Sequence, residues 1–381
     1  MQRTGVVFVG CGFVADSYRQ CLGLHEGLRL VGVYDRDPAR LAAFSGYWGE
    51  RAYRSLDEAL GEPEAGIVVN LTSVESHFEV TRAALRAGKH VYTEKPLALT
   101  GAQAALLRDE AKAAGRRIAA APCNLLGESA QTLWRALREG RIGTPRLVYA
   151  ELDDGMVHKA AYRNWVSRSG RPWPARDEFE IGCTFEHAGY ALTLLAAMFG
   201  PARRVTAFAR LIAPDKGTQP PLAHPAPDFS VGMIEFDGGL AARLTNSIVA
   251  PYDHRFRVIG DEGVLEIYEL WDYASPVRWR RPATSRLARF AERRFGGLPP
   301  TKLAPARKCP LPRGRGRPTM DFPRGVAELA QAIRDDRPCR LDADFAVHVA
   351  EVTERLQHPE RFPAGGAVTN AFAPISPMPW A

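Results

Sequence analysis

Short apolar runs alternate with amphipathic stretches through the first third of the chain. The runs Val6–Val9, Leu30–Tyr34, Gly66–Asn70, His90–Thr93 and Arg117–Ala121 are continuous and rich in β-branched residues. Strands buried on both faces have that composition. Between them, Phe78–Arg86 and Ala102–Ala114 read as helices. This alternation predicts a parallel, doubly wound sheet. After Pro122 the pattern changes. A helix is predicted near Ser129–Arg138, followed by strands at Arg146–Glu151, Phe229–Phe236, Leu240–Val249, Phe256–Ile259 and Val264–Tyr268. Turns such as Asp237-Gly238-Gly239 and Asp261-Glu262-Gly263 join them, which suits an antiparallel sheet. Two further helices are predicted at Asp321–Arg334 and Ala343–Leu356. From Pro363 the chain is rich in Pro, Gly and Ala, and little regular structure is expected. The resulting division is a first domain at 1–124, a second at 125–362 and a tail at 363–381.

The first strand runs into Gly10-Cys11-Gly12-Phe13-Val14-Ala15. Gly10 allows a sharp turn, Gly12 lets a ligand approach the backbone, and Ala15 lets the next helix pack closely on the strand. A helix opening at Phe13 and Val14 would aim free N–H groups and its positive end at a pyrophosphate. An ordinary turn would also explain the glycines. The second run, however, ends in Asp35, roughly 20 residues further on, where an acid accepts hydrogen bonds from a ribose diol. Strand, glycines, helix, second strand and acid in this order predict a Rossmann dinucleotide site. Asp35 favours NAD. Arg36, next in the chain, could bind the 2′-phosphate of NADP, so NADP use is possible.

The length of 381 residues suggests two domains, and 46% apolar residues are enough for substantial cores. No apolar run approaches the ~20 residues of a membrane helix, and the N-terminus lacks a signal-peptide layout. A cytoplasmic protein is expected. The six cysteines show no C-x-x-C pair, so neither a metal site nor a disulfide framework is predicted. The net charge of +7 is local in origin. Residues 278–317 carry thirteen Lys or Arg against one acid, Glu292, and the rest of the chain is mildly acidic. A uniformly basic nucleic-acid binder is not described by this pattern, and no nucleic-acid partner is expected. The basic segment is read as an exposed insertion. A membrane-surface or nucleic-acid contact, or a wall attracting an anionic substrate such as a nucleotide-sugar, are its competing readings.

Glu94-Lys95-Pro96 follows the fourth predicted strand. Ligands of open parallel sheets sit at the carboxyl ends of the strands, so Lys95 is predicted to face the cofactor. Further on, Glu186 and Tyr190 are four residues apart and share one helix face. A tyrosine is too weak a base unless a cation lowers its pKa, and Lys95 or an oxidised nicotinamide could supply that charge. His187 points about 100° away on an ideal helix and is the competing proton carrier.

Gly10, Gly12 and Ala15, then Asp35, then Glu94-Lys95-Pro96 resemble the Gfo/Idh/MocA oxidoreductases. So do Thr72–His77, "AALRAGKHVYTEKPL", Gly140-Arg141-Ile142-Gly143 and Val258–Gly263, and the resemblance covers nearly the whole chain. It implies a Rossmann domain plus a C-terminal α/β domain with an open, mainly antiparallel sheet. It also implies a homo-oligomer (dimer or tetramer) and NAD(P)-dependent chemistry on sugars, cyclitols and related polyols. The resemblance assigns Thr72, His77, Glu94 and Lys95 to the cofactor side and places Asn124 near the substrate. One departure stands out. Where many members carry Asp and His one turn apart, this chain has Glu186 and Tyr190. Arg163, Trp165 and Trp173, in the loop before that helix, would suit a sugar ring bearing a carboxylate or phosphate. The function expected is hydride transfer between nicotinamide and a hydroxyl or keto carbon of a sugar, cyclitol or nucleotide-sugar. The alternatives are a regulatory or binding protein that kept the fold, or hydrolysis or elimination through transient oxidation.

Overall fold

The computed structural model describes residues 3–295, 299–311, 314 and 317–381. The first domain is a five-stranded parallel sheet of β1 (Thr4–Val9), β2 (Leu28–Tyr34), β3 (Ala65–Asn70), β4 (His90–Thr93) and β5 (Ile118–Ala120), in the order β2-β1-β3-β4-β5. Strand order reverses beside β1, and the crevice for a ligand opens there. Helices α1 (Phe13–Leu22), α2 (Pro38–Trp48), α3 (Leu56–Leu60), α4 (His77–Arg86) and α5 (Gly101–Ala113) complete the crossovers. Local chemistry sets their ends. Asp37 accepts from Ala39 N and Arg40 N to cap α2, Pro38 takes its first position, and Gly49 stops it at φ +71°.

The second domain begins with α6 (Glu128–Arg138) and β6 (Pro145–Asp153). It continues through α7 (Ala175–Ile181) and α8 (Cys183–Phe199) into β7 (Arg204–Arg210), β8 (Phe229–Glu235), β9 (Ala241–Ser247), β10 (Phe256–Gly260) and β11 (Gly263–Ile267). Then come β12 (Val277–Arg280), α9 (Arg286–Phe295), β13 (Thr301–Lys302), α10 (Arg324–Arg334), α11 (Ala343–Gln357) and β14 (Gly366–Ala367). The nine strands form one sheet, β13-β12-β11-β10-β6-β9-β8-β7-β14. All neighbours are antiparallel except β6 and β9. Helix α8 is apolar almost all round and correspondingly buried from Cys183 to Ala197.

The two domains share a core. One continuous apolar cluster joins Val6 and Phe8 of the first sheet to Val148, Leu244 and Val258 of the second through Ala188, Ala191 and Leu195 of α8. Helices α10 and α11 come late in the chain but pack back on the first domain. Ala120 N donates to Leu341 O at 3.3 Å, and Ala119 bridges Asp342. Gly101 N donates to Glu354 Oε2 at 2.8 Å, and Gly325 packs so tightly on Tyr92 that a Cβ there would lie 2.2 Å from its hydroxyl.

The tail has little regular structure beyond β14, yet it is docked. Phe372 packs on Phe345 and His348, Met378 N donates to Gln131 Oε1 at 2.8 Å, and Arg307 lies 4.0 Å over the Trp380 ring. The basic segment contributes β12, α9 and β13, and residues 296–298, 312–313 and 315–316 of it lie outside the described residues. Leu287 and Phe290 of α9 are well exposed. Among the described residues, no helix is long and apolar enough to cross a membrane.

Candidate active site

A cleft of about 460 Å³ opens at the carboxyl ends of β1 to β4. Gly10 N donates to Tyr34 O at 2.8 Å, and its φ of +103° turns the chain out of β1. A Cβ on Gly10 would lie 2.4 Å from Leu71 O, so the turn needs glycine for space as well as for conformation. Gly12 differs. A Cβ there would meet nothing within 4 Å and would project into the open cleft, where the first turn of α1 presents its N–H groups. That cradle fits a dinucleotide pyrophosphate. Phe13 and Val14 line the cleft, while Ala15 is fully buried beneath, as close helix–strand packing requires. Asp35 and Arg36 lie at its adenosine end. Asp35 already accepts Cys11 N at 2.7 Å and Asp37 N at 2.8 Å, one on each oxygen, so its carboxylate also braces the glycine turn. Lone pairs remain on both oxygens for a ribose diol.

The deep end of the cleft holds the ionisable groups. Glu94 N is held by Asn70 O at 2.8 Å, and the Glu94 carboxylate accepts Tyr18 OH at 2.7 Å and Lys95 N at 3.0 Å. Glu94 is therefore fixed and aims the following residue. Lys95 Nζ forms an ion pair with Glu186. Burial works against the Lys95 charge, but Glu186, followed by Tyr190 and Glu178, outweighs it and lifts its pKa above the ordinary range. Lys95 is thus a fixed cation. Tyr190, one turn beyond Glu186, also lines the cleft. Burial raises its phenol pKa, and the Lys95 charge only partly offsets that. His77 also lines the cleft. Its Nδ1 lies 2.7 Å from Pro96 O and its Nε2 3.1 Å from Thr72 O, so it ties the loop after β3 to the loop after β4. Burial lowers its pKa, and the neutral ring can donate to only one of these two carbonyls at a time. Thr72 donates to Asn70 Oδ1 at 2.7 Å and forms part of the same wall.

Other predicted residues fall elsewhere. Asn124 does not face the cleft. Its Nδ2 donates to Tyr190 O at 2.8 Å and its Oδ1 accepts Thr193 Oγ1 at 3.2 Å, because the turn after β5 packs directly on α8. Trp165 is 38% exposed and lies against Trp173, with ring centroids 5.1 Å apart; only Trp173 of the two reaches the cleft wall. Arg163 turns away to Gly217 O and the Tyr162 ring. His187 does not line the cleft. It packs on Trp271, and burial holds its pKa well below the usual imidazole value.

Three residues around the cleft were not apparent from the sequence. Glu178 of α7 lines the cleft near Lys95, and burial together with Glu186 raises its pKa well above the usual carboxyl range. Trp271 lines the cleft and contacts Tyr190, His187 and His254, with centroids 5.4, 5.7 and 4.3 Å apart. Asp154, at the end of β6, sits between the two histidines, 3.9 Å from His187 Nε2 and 3.7 Å from His254 Nε2. Burial raises its pKa to about 6. Tyr252 OH donates to Glu269 Oε2 at 2.6 Å, and His254 Nδ1 lies 2.9 Å from that hydroxyl and 3.1 Å from Glu269 Oε1. Facing these two oxygens, Nδ1 carries a proton, while Nε2 has no hydrogen-bond partner among the described residues. These residues lie on three separate elements, and no spacing in the chain announces their meeting.

Comparison with known proteins bears on the family and the fold of both domains. A family model described as an oxidoreductase family with an NAD-binding Rossmann fold matches residues 4–121, and the GFO/IDH/MocA C-terminal domain matches residues 130–266. The chain is similar to D-apiose dehydrogenase of Paraburkholderia graminis, 29% identical over 210 residues, which are 54% of this chain and 52% of that protein. The chain thus spans about half the length of that relative. It superposes on the aldose-aldose oxidoreductase from Caulobacter crescentus complexed with glycerol, with a TM-score of 0.73 at 21% identity over 94% of this chain and 98% of that one. The WlbA dehydrogenase from Bordetella pertussis, solved with NADH and UDP-GlcNAcA, gives 0.71 at 17% identity over 94% and 97%. At these identities the two superpositions show a common fold.

Proposed function

The chain belongs to the Gfo/Idh/MocA oxidoreductases, and on that premise we propose that it is a dehydrogenase or reductase acting on a CH–OH group of a sugar, cyclitol or nucleotide-sugar. The observation that carries this reading is the Lys95–Glu186 pair beside Tyr190 at the deep end of the dinucleotide cleft. The bound nicotinamide supplies or takes up the hydride. The residues of the chain bind, orient and move the proton. Gly10, Gly12 and the first turn of α1 receive the pyrophosphate, and Asp35 receives the ribose diol, with NAD preferred. Lys95, kept charged by Glu186, polarises the substrate oxygen. Tyr190 gives that oxygen its proton in the reducing direction and takes it back in the oxidising direction. Glu186 is the counter-ion that positions Lys95.

The exposed Phe208 and Met233, on neighbouring strands β7 and β8, support self-association through the open face of the large sheet. Incubating the protein with NAD or NADP and a panel of sugars, cyclitols and nucleotide-sugars tests the reading. Reduced nicotinamide should accumulate with at least one of them. Cofactor binding with no redox change across the panel, in either direction, would overturn it.

A further inference from the structure

The second domain sends a strap over the first. Trp173 N donates to Trp165 O at 2.8 Å and Ser167 N to Arg171 O at 2.7 Å, which closes a hairpin turning through Gly170 at φ +83°. The hairpin tip is latched to α1. Asp16, 3% exposed, accepts Ser169 Oγ at 2.7 Å, Ser169 N at 3.2 Å and Ser167 Oγ on one oxygen, and Trp48 Nε1 at 2.6 Å on the other. Four donors from both domains thus converge on one buried carboxylate. A desolvated carboxylate is stable only with such partners, so the latch has one well-defined closed geometry.

That geometry fixes Arg171. Its Nε is buried with no hydrogen-bond partner, and its guanidinium makes no ion pair among the described residues. It lines a cavity of about 670 Å³ with Gly12, Phe13, Asp37 and Arg40, and this cavity shares Trp173 and Pro174 with the dinucleotide cleft. Arg40 is already paired with Asp37 at 3.2 Å. Arg171 feels the Asp37 carboxylate without pairing with it, and Asp37 is already held by Arg40, so a phosphate would give the half-buried guanidinium the partner it lacks. Gly12 and Phe13 belong to the pyrophosphate cradle, while Asp37 and Arg40 follow Asp35 at the adenosine end.

We propose that Arg171 binds a phosphate of the dinucleotide, so that the second domain closes over the cofactor and the Asp16 latch holds it there. The inference rests on the dinucleotide reading above. Two phosphates are within its chemistry: the pyrophosphate common to NADH and NADPH, and the 2′-phosphate of NADPH alone.

The test is calorimetric titration of the wild-type protein and of Arg171→Ala with NADH, NADPH and adenosine, each variant checked for an unchanged thermal melt. Arg171→Ala should weaken dinucleotide binding by about 10- to 100-fold, the loss of one charged hydrogen-bonded contact, and leave adenosine unaffected. A loss shared by NADH and NADPH assigns the pyrophosphate, and a loss confined to NADPH assigns the 2′-phosphate. Unchanged affinity for both overturns the proposal. Arg171→Lys should recover part of the loss, which a merely structural role would not predict. The double variant Ser167→Ala/Ser169→Ala should release NADH faster in a stopped-flow chase, and an unchanged release rate would remove the latch. A wild-type protein that binds neither dinucleotide would instead sink the underlying dinucleotide reading, an outcome separate from any effect of Arg171.

Discussion

Asn124 Nδ2 donates to the carbonyl oxygen of Tyr190 at 2.8 Å. The turn that leaves the last strand of the first domain therefore holds the backbone of the helix that carries the candidate proton carrier. Both ends of the Asn124 amide are used within the protein, since Oδ1 accepts Thr193 Oγ1. Asn124→Ala should cost about 1–3 kcal/mol in urea unfolding, the range for buried hydrogen-bonding groups left unpaired. It should lower kcat while leaving dinucleotide affinity unchanged. A fall in substrate affinity alone, with stability intact, would put Asn124 in the substrate site after all.

Lys95→Ala should leave the fold and dinucleotide binding in place and reduce turnover by ~10²–10⁴-fold, as loss of a proton-handling partner does. The ion pair with Glu186 gives the reason, because without Lys95 the cleft keeps Glu186 and Glu178 and no cation beside Tyr190. Steady-state kinetics beside a cofactor titration checks this, and near-normal turnover would remove Lys95 from the mechanism.

Tyr190 carries a pH signature. Its phenol pKa is raised by burial, so the protonated form prevails at neutral pH. Reduction uses that form and should be nearly independent of pH around neutrality. Oxidation needs the deprotonated form, so its rate should climb as pH rises toward the phenol pKa. Tyr190→Phe should slow both directions and flatten the climb, while His187→Ala, which removes a group packed behind Trp271, should do much less. If His187→Ala abolishes the pH dependence and Tyr190→Phe leaves it, the proton carrier is His187.

Asp35→Asn should narrow the preference for NAD over NADP by about 10-fold, because it removes the charge that repels a 2′-phosphate and leaves Arg36 beside it. The same change turns an amide donor toward the N–H of either Cys11 or Asp37, so a stability loss of about 1–3 kcal/mol should accompany it. Paired titrations with both cofactors and a thermal melt measure the two effects. Tighter NADP binding by the wild type would show that Arg36 outweighs Asp35.

The strands of the first domain were legible because a strand buried on both faces must be continuously apolar, as in Val6–Val9 and Ile67–Val69. Strand β7 was not. Its Arg-Val-Thr-Ala-Phe-Ala-Arg places one fully buried residue, Val205, among exposed and half-exposed ones, which leaves little hydrophobic contrast. The glycine turn, Asp35, Lys95, Glu186 and Tyr190 could be found because each is fixed by a local element, a strand end or one helix face. Arg163, Trp165 and Asn124 could not be placed, because loop composition does not say which wall a side chain meets. Glu178 escaped for a related reason. It lies on α7, which Gly182 at φ +103° separates from α8, so it comes near Glu186 without sharing its helical register.

The return of α10 and α11 to the first sheet bears on the order in which the molecule is made. A ribosome delivers β5 long before Leu341 and Asp342, which cover its outer edge. Until then that edge offers unpaired backbone groups, the usual invitation to wrong pairing. The dinucleotide domain is therefore completed by a segment synthesised long after its own strands. A fragment ending after Leu125 should be sensitive to protease across β4 and β5, and a stop codon before Arg324 should yield a chain without a finished cofactor site. Whether the cofactor domain is properly finished is thus decided only when α10 and α11 arrive to cover β5.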